Sequence, residues 1–304
     1  MKAFRSEDYC RKYFEKIRFA DGDYCPHCRH GKINRFSDGM RYRCASCKRD
    51  FTIKTGTLFG ESKIPLKKWF IAIFLLTQSK KGISSVSLAK FVGVSQKTAW
   101  FMDHRIREAL KQNDGQLFGD AGIVEADETY VGGKHRRKHG FQKKAVIFGM
   151  IERGGLVKAF HVPHRGTEML LPKIKEHISP KARIMTDEAK VYQKLPRFGY
   201  THGSVKHGKR RWVYKDINTN SIESFWALFK RGYHGTHHWM SKKHLQRYID
   251  ECVFRFNMRT NTPDVVFLEI AKRIANSGKL SYKALTYEKG NKEKGSAWAQ
   301  IKTA

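Results

Sequence analysis

Nowhere does the chain reach the roughly 18 consecutive apolar residues that a membrane-crossing helix needs. Its longest such stretch, Trp69 to Leu76, is eight residues. The opening segment, MKAFRSEDYC, lacks the apolar region of a secretory signal peptide. Together these absences lead to the expectation of a soluble, cytoplasmic protein. In that compartment thiols stay reduced, and paired cysteines hold metal rather than form disulfides. Acidic residues are also scarce: 28 Asp and Glu stand against 60 Lys and Arg, a formal charge of +32. Such an excess favours a polyanionic partner, because each phosphate neutralised releases condensed counterions. Charge alone does not separate a nucleic-acid enzyme from a ribosomal or membrane-surface protein. The 304 residues suggest two or three domains, and 40% hydrophobic residues supply enough for a core.

Of the six cysteines, four cluster early: Cys25, Cys28, Cys44 and Cys47. They form two C-x2-C knuckles separated by fifteen residues, a zinc-ribbon spacing in which two pairs of thiolates complete one tetrahedron. A redox C-x2-C would come as one motif, not two matched ones. Between the knuckles, Ser37-Asp38-Gly39 reads as a hairpin turn. Cys10 and Cys252 stand outside the pattern and are expected to be ordinary buried thiols.

Residues 66–110 read as largely helical, with Trp69, Phe70, Ile73 and Phe74 on an apolar face. Within them, Gly93-Val94-Ser95 is a tight turn between two helices, and Ser95 is placed to cap the second. This is a helix-turn-helix pattern, with Gln96, Lys97 and Thr98 where base-reading side chains sit. An ordinary helical hairpin would share the pattern; the preceding ribbon and the charge favour DNA.

After Lys111-Gln112-Asn113-Asp114-Gly115 the periodicity changes. Residues 122–131 alternate as a strand, 145–151 and 156–162 form a hairpin about Arg153-Gly154-Gly155, and 168–178 read as a helix. A short buried strand, 183–186, ends at Asp187. Strand-like pieces follow at 204–205 and 212–214, then helices over about 221–230 and 243–256. This is the element order of a ribonuclease H-like domain.

Phosphoryl transfer on DNA is commonly run by two divalent ions about 3.5–4 Å apart, held by carboxylates. Few acids here sit where a rigid element could aim them. Asp127 lies in the first strand, Asp187 ends a buried strand, and Glu223 opens a helix whose Phe225, Trp226 and Phe229 supply core contacts. Between Asp187 and Glu223 lie 35 residues. Period-2 alternation puts Glu125 on the same strand face as Asp127, so these two compete for one role; Glu128 and Glu188 are expected to point away as structural residues.

The spacing and the local words, Val124-Glu-Ala-Asp-Glu-Thr-Tyr-Val-Gly-Gly-Lys134, Met185-Thr-Asp-Glu188 and Asn218-Thr-Asn-Ser-Ile-Glu-Ser-Phe-Trp-Ala-Leu-Phe-Lys-Arg-Gly232, carry a resemblance. With the ribbon in front, residues 5–260 resemble bacterial insertion-sequence transposases of the DDE superfamily, in the family numbered fifteen ninety-five. The resemblance implies that Asp127, Asp187 and Glu223 hold two Mg²⁺ or Mn²⁺ ions. It also implies that Lys230, seven residues past Glu223, contacts the transposon end beside Arg231. Some members carry Asn or His at the third acidic position; this chain keeps Glu.

The expected architecture is therefore a multidomain α/β protein. A zinc ribbon (1–60) is followed by a helix-turn-helix region (61–115), a ribonuclease H-like catalytic domain (116–275) with a mixed sheet and flanking helices, and a basic mobile tail (276–304). One Zn²⁺ at the four cysteines is expected to be structural. Arg136 and Arg137, in the basic run 134–139, are expected to track DNA phosphates without reading sequence. His207 is open to a role at the scissile phosphate, a plain phosphate contact or a place as an ordinary surface residue. His237-His238 invite a second metal site that no further spacing supports. The expected partner is double-stranded DNA, bound at element ends and at the target by at least a dimer associated with the bacterial nucleoid. Two rivals remain: a transposase-derived regulator that binds without catalysis, and a nuclease that hydrolyses but never joins.

Overall fold

The structure, a computed structural model, describes residues 4, 6–112, 117, 119–120, 122–132, 144–205 and 218–286. The chain opens with helix α1 (Glu7–Arg18), capped by the Ser6 hydroxyl. A small antiparallel sheet follows, of strands β1 (Ile33–Arg35), β2 (Arg41–Cys44) and β3 (Asp50–Thr52). Arg18 closes α1 onto this ribbon: its guanidinium, buried, bonds the carbonyls of Ile53 and Thr55. Helix α2 (Leu66–Gln78) begins at Pro65, which has no side chain to cap it. Glu7 of α1 does so instead, accepting from the N–H groups of Leu66 and Lys67 at 2.7 and 2.9 Å.

Helices α3 (Ser85–Val92) and α4 (Gln96–Ala109) are joined by the short turn expected there. Gly93 takes φ +66°, the left-handed conformation that suits glycine, and the Ser95 hydroxyl accepts from Thr98 N–H.

A five-stranded mixed sheet comes next. Its strands are β4 (Ile123–Val131), β5 (Ala145–Glu152), β6 (Val157–Val162), β7 (Arg183–Thr186) and β8 (Thr201–Ser204), in the order β6-β5-β4-β7-β8. The first three form an antiparallel meander; β7 lies parallel to β4, and β8 parallel to β7. Helix α5 (Thr167–His177) supplies the crossover from β6 to β7. Helices α6 (Asn220–Gly232) and α7 (Leu245–Asn257) follow the sheet. A three-stranded meander extended by two parallel strands is the ribonuclease H-like arrangement.

Alternation along β5 decides the layers. Ile147 and Ile151 join Phe225, Trp226 and Leu245 in a core beneath α6 and α7. Val146, Phe148 and Met150 join Leu170, Ile174 and Tyr192 in a second core on the α5 side. The sequence-expected strand at 212–214 lies outside the described residues.

Two further helices end the described chain, α8 (Pro263–Asn276) and α9 (Tyr282–Thr286). The expected boundaries put α8 in the catalytic unit 116–275 and α9 in a mobile tail from 276. The packing divides the chain differently. Phe267, Ile270 and Ile274 of α8 and Leu285 of α9 are buried in the core that holds Phe14, Phe59, Phe70 and Trp69. Phe267 meets the Phe70 ring edge-on at 5.3 Å, and Arg105 of α4 donates to Leu280 O at 3.1 Å. The apolar face of α8 thus finds its complement on α1 and α2, so the first and last described helices share one body.

Candidate active site and zinc ribbon

The two knuckles bring four sulfurs together, all within 4.8 Å of one another. Cys25 Sγ lies 3.7 Å from Cys47 Sγ and Cys28 Sγ 3.6 Å from Cys44 Sγ. Disulfide sulfurs would be about 2.05 Å apart. Four thiolates at about 2.3 Å from one Zn²⁺ have edges of about 3.8 Å, so the donor set fits a tetrahedral ion with no open position. Cys10 and Cys252 lie apart from this group, and both are buried.

At the sheet, the register pairs β4 with β7 only over residues 123–125 against 183–185. Beyond Ala126 this edge of β4 pairs with no strand among the described residues, while its other edge stays paired to β5 as far as Val131. Asp127 sits at this opening, and Asp187 arrives there one residue past the end of β7. Carboxylate oxygens of Asp127, Glu128 and Asp187 lie within 4.8 Å of one another. This oxygen-only set suits a hard divalent cation.

Two contacts set the two aspartates. The Trp226 indole N–H of α6 donates to Asp127 at 3.0 Å, and Ala189 N–H donates to Asp187 at 2.9 Å. Trp226 reaches Asp127 because Gly149, opposite Asp127 on β5, has no side chain; a Cβ there would lie 2.6 Å from the indole ring. Burial, with Asp187 and Glu223 adding repulsion, raises the Asp127 carboxyl to about 6. Burial, with Asp127 and Asp187 adding repulsion, raises Glu128 to about 7. Acids crowded in this way without a cation are held against their ionisation, and a divalent ion would reverse that.

Glu125, the competitor on the same face, is fully buried and committed elsewhere. It pairs with Arg153 at 2.7 Å and accepts from the Ser221 and Ile222 N–H groups at 2.8 and 3.0 Å. It therefore anchors the first turn of α6, where the helix dipole favours a carboxylate. Glu223, exposed on that turn, is not in the three-acid cluster; its carboxylate accepts from the Thr219 hydroxyl at 2.9 Å. Glu188 is exposed. Glu128 does not point away as alternation suggested, because the open edge of β4 lets side chains from both faces reach Asp187.

Lys230 and Arg231 are exposed on the last turn of α6. Gln96 and Lys97 are exposed at the start of α4 and Thr98 is half-buried. All three have local partners: Gln96 donates to the Ser85 hydroxyl at 2.8 Å, Lys97 lies over the Tyr282 ring at 5.1 Å, and Thr98 meets the Ser95 hydroxyl at 2.9 Å. Arg136, Arg137 and His207 lie outside the described residues. His237 and His238 belong to neither ligand cluster among the described residues. Sequence reasoning passed over Trp226, Tyr192 and Arg153 as partners of the acids. Gly149 was legible: a lone glycine in an apolar strand marks close approach.

Two family models match the chain: a transposase zinc-ribbon domain over residues 5–50 and an ISXO2-like transposase domain over residues 120–257. An uncharacterised protein in transposable element ISH50 of Halobacterium salinarum is 28% identical over 275 residues, 82% of this chain and 90% of that one. An uncharacterised transposase-like protein of Haemophilus influenzae is 29% identical over 99 residues, 32% of this chain and 76% of that one. Among solved structures, the Mos1 strand transfer complex matches at 14% identity and a TM-score of 0.29, covering 67% of this chain and 74% of that one. A simian T-cell lymphotropic virus intasome matches at 14% identity and a TM-score of 0.26, covering 76% and 78%.

Proposed function

The chain belongs to the IS1595 transposases, whose zinc-ribbon and DDE domains it carries, and from that premise we propose that it cuts the ends of an insertion sequence and joins them to target DNA. The observation that supports this reading best is the meeting of Asp127 and Asp187 at the open edge of β4, under the α6 turn that bears Glu223. In this reading Asp127, Asp187 and Glu223 hold two Mg²⁺ or Mn²⁺ ions. When bound, such ions polarise the scissile phosphate and ease deprotonation of the attacking hydroxyl.

The chain's own residues prepare the site. Trp226 and Ala189 hold the two aspartates in place, and Glu125 pins the helix that carries Glu223. Glu223, which accepts from the Thr219 hydroxyl, would hold an ion only on giving up that bond. In the first step water attacks a phosphodiester and leaves a 3′-hydroxyl on the element end. In the second, that hydroxyl attacks a target phosphodiester and displaces its 3′-oxygen, so one bond forms as one breaks.

Double-stranded DNA is the proposed partner. Lys230 and Arg231 would grip backbone near the cut, Gln96, Lys97 and Thr98 would read the element end, and Arg136, Arg137 and His207 would contact phosphates. Pairing two ends calls for at least a dimer. One Zn²⁺ would hold the ribbon. No described helix is long and apolar enough to cross a membrane.

A strand-transfer assay with pre-cut element ends tests the reading. Joined product from the native chain, lost in Asp187→Asn with end-binding kept within a few-fold, is the expected result. Hydrolysis without joining would leave a nuclease, and DNA binding without either step would leave a regulator.

A further inference from the structure

Glu128 and Tyr192 form a feature the three-acid reading does not use. Glu128 leaves β4 on the α5 side of the sheet, opposite to Asp127, yet its carboxylate turns into the same cluster as Asp127 and Asp187. Among the described residues its Oε1 is shut off from solvent and has no hydrogen-bond partner of good geometry. Tyr192, five residues past Asp187, is 1% exposed, and its hydroxyl is likewise buried without a partner of good geometry. The hydroxyl lies beside Glu128, and the Asp127 and Asp187 charges act on it. Buried carboxylate oxygens and hydroxyls are almost always hydrogen-bonded, and an exception beside a cation-suited cluster calls for an occupant.

We propose, resting on the two-ion reading above, that Glu128 is a fourth carboxylate ligand of the divalent-ion centre and that Tyr192 is its positioning residue. The side chains divide by face. Asp127 and Asp187 are shared, Glu128 closes the centre from the α5 side, and Glu223 approaches from the α6 side. A merely structural glutamate would have a basic partner in contact, as Glu125 has Arg153, whereas Arg165 acts on Glu128 only from beyond ion-pair distance. Among the described residues no ion pair or hydrogen bond of good geometry satisfies Oε1 of Glu128. In this arrangement the Tyr192 hydroxyl donates to one Glu128 oxygen and leaves the other for the ion, a supporting contact of the kind that commonly changes metal affinity about 10–100-fold.

The test is Mn²⁺ binding by the full chain without DNA, read as free Mn²⁺ by electron paramagnetic resonance, with strand transfer measured in parallel. Glu128→Gln keeps shape and removes charge. It is expected to weaken Mn²⁺ binding about tenfold or more, with Glu128→Asp intermediate and Tyr192→Phe weakened by a smaller factor. Glu188→Gln, one residue from Asp187 but exposed, is expected to bind Mn²⁺ within twofold of the native chain. Native affinity in both Glu128→Gln and Glu128→Asp, with affinity lost in Asp187→Asn, would overturn the fourth ligand and leave the two-ion reading standing. A native chain that neither binds Mn²⁺ nor joins DNA ends would overturn both.

Discussion

At the scale of single residues, the site depends on one missing side chain. Gly149 leaves the space through which Trp226 reaches Asp127, and an added Cβ would sit 2.6 Å from the indole. Gly149→Ala is therefore expected to displace Trp226, destabilise the fold by about 1–3 kcal/mol and lower strand transfer. Pairing it with Trp226→Phe should restore much of the stability by freeing space but not the activity, since the N–H on Asp127 is gone. Urea melts and the joining assay read the two effects separately; full activity in the double variant would show that the indole N–H does not matter. Glu125 illustrates how much local pattern leaves open. Alternation made it equivalent to Asp127, and only its partners, Arg153 and the α6 N–H groups, distinguish the two.

At the scale of elements, the ribbon and α6 each make a separable prediction. The ribbon's three short strands bury little without an ion, whose binding supplies roughly 10–16 kcal/mol in comparable modules. Replacing Cys25, Cys28, Cys44 or Cys47 by Ser is expected to release zinc and loosen α1 with the ribbon, whereas Cys10→Ser and Cys252→Ser keep it. Elemental analysis of the purified variants checks this, and a native chain without zinc would refute it. In α6, Lys230 lies seven residues beyond Glu223, which at about 100° per residue returns it to the same face about 10 Å along the axis. That is too far for an ion pair, and both side chains are exposed. Lys230→Ala should keep fold and Mn²⁺ binding yet cut end cleavage by about tenfold, with partial recovery in Lys230→Arg because charge survives and geometry changes. Undiminished cleavage in Lys230→Ala would make it a surface lysine.

At the scale of the whole molecule, a buried polar seam joins the N-terminal body to helix α7 beside the five-stranded sheet. Arg107 of α4 pairs with Glu251 of α7 at 2.6 Å, both 1% exposed, and Glu251 also pairs with Arg255. Asp103, one turn before Arg107, has its guanidinium only at 3.8 Å and no hydrogen bond to either oxygen. Burial, only partly offset by Arg107, raises its carboxyl to about 7. A carboxyl raised on folding costs stability once ionised, so the folded state holds an extra proton between the unfolded value and about 7. This contribution is present below pH of about 4 and is lost as pH rises to about 7, with an upper bound of about 4 kcal/mol. Denaturant melts at pH 5 and pH 8 should show the native chain weaker at the higher pH and Asp103→Asn with a flatter dependence. An unchanged slope would locate the titrating group elsewhere.

The same seam and the return of α8 bear on what can be read from the chain alone. Local chemistry was legible: the two knuckles declare a metal, Gly93 and Ser95 declare a turn and a cap, and alternation with a hairpin signal outlines β4 to β6. These depend on neighbours in sequence, so short words carry them. The tertiary structure alone decided which body α8 joins, that Glu7 caps α2, and that the unpaired end of β4 lets Glu128 reach Asp187 from the opposite face. Each of these depends on contacts between residues tens to hundreds of positions apart, where strand register and helix packing, not local pattern, set what a side chain meets.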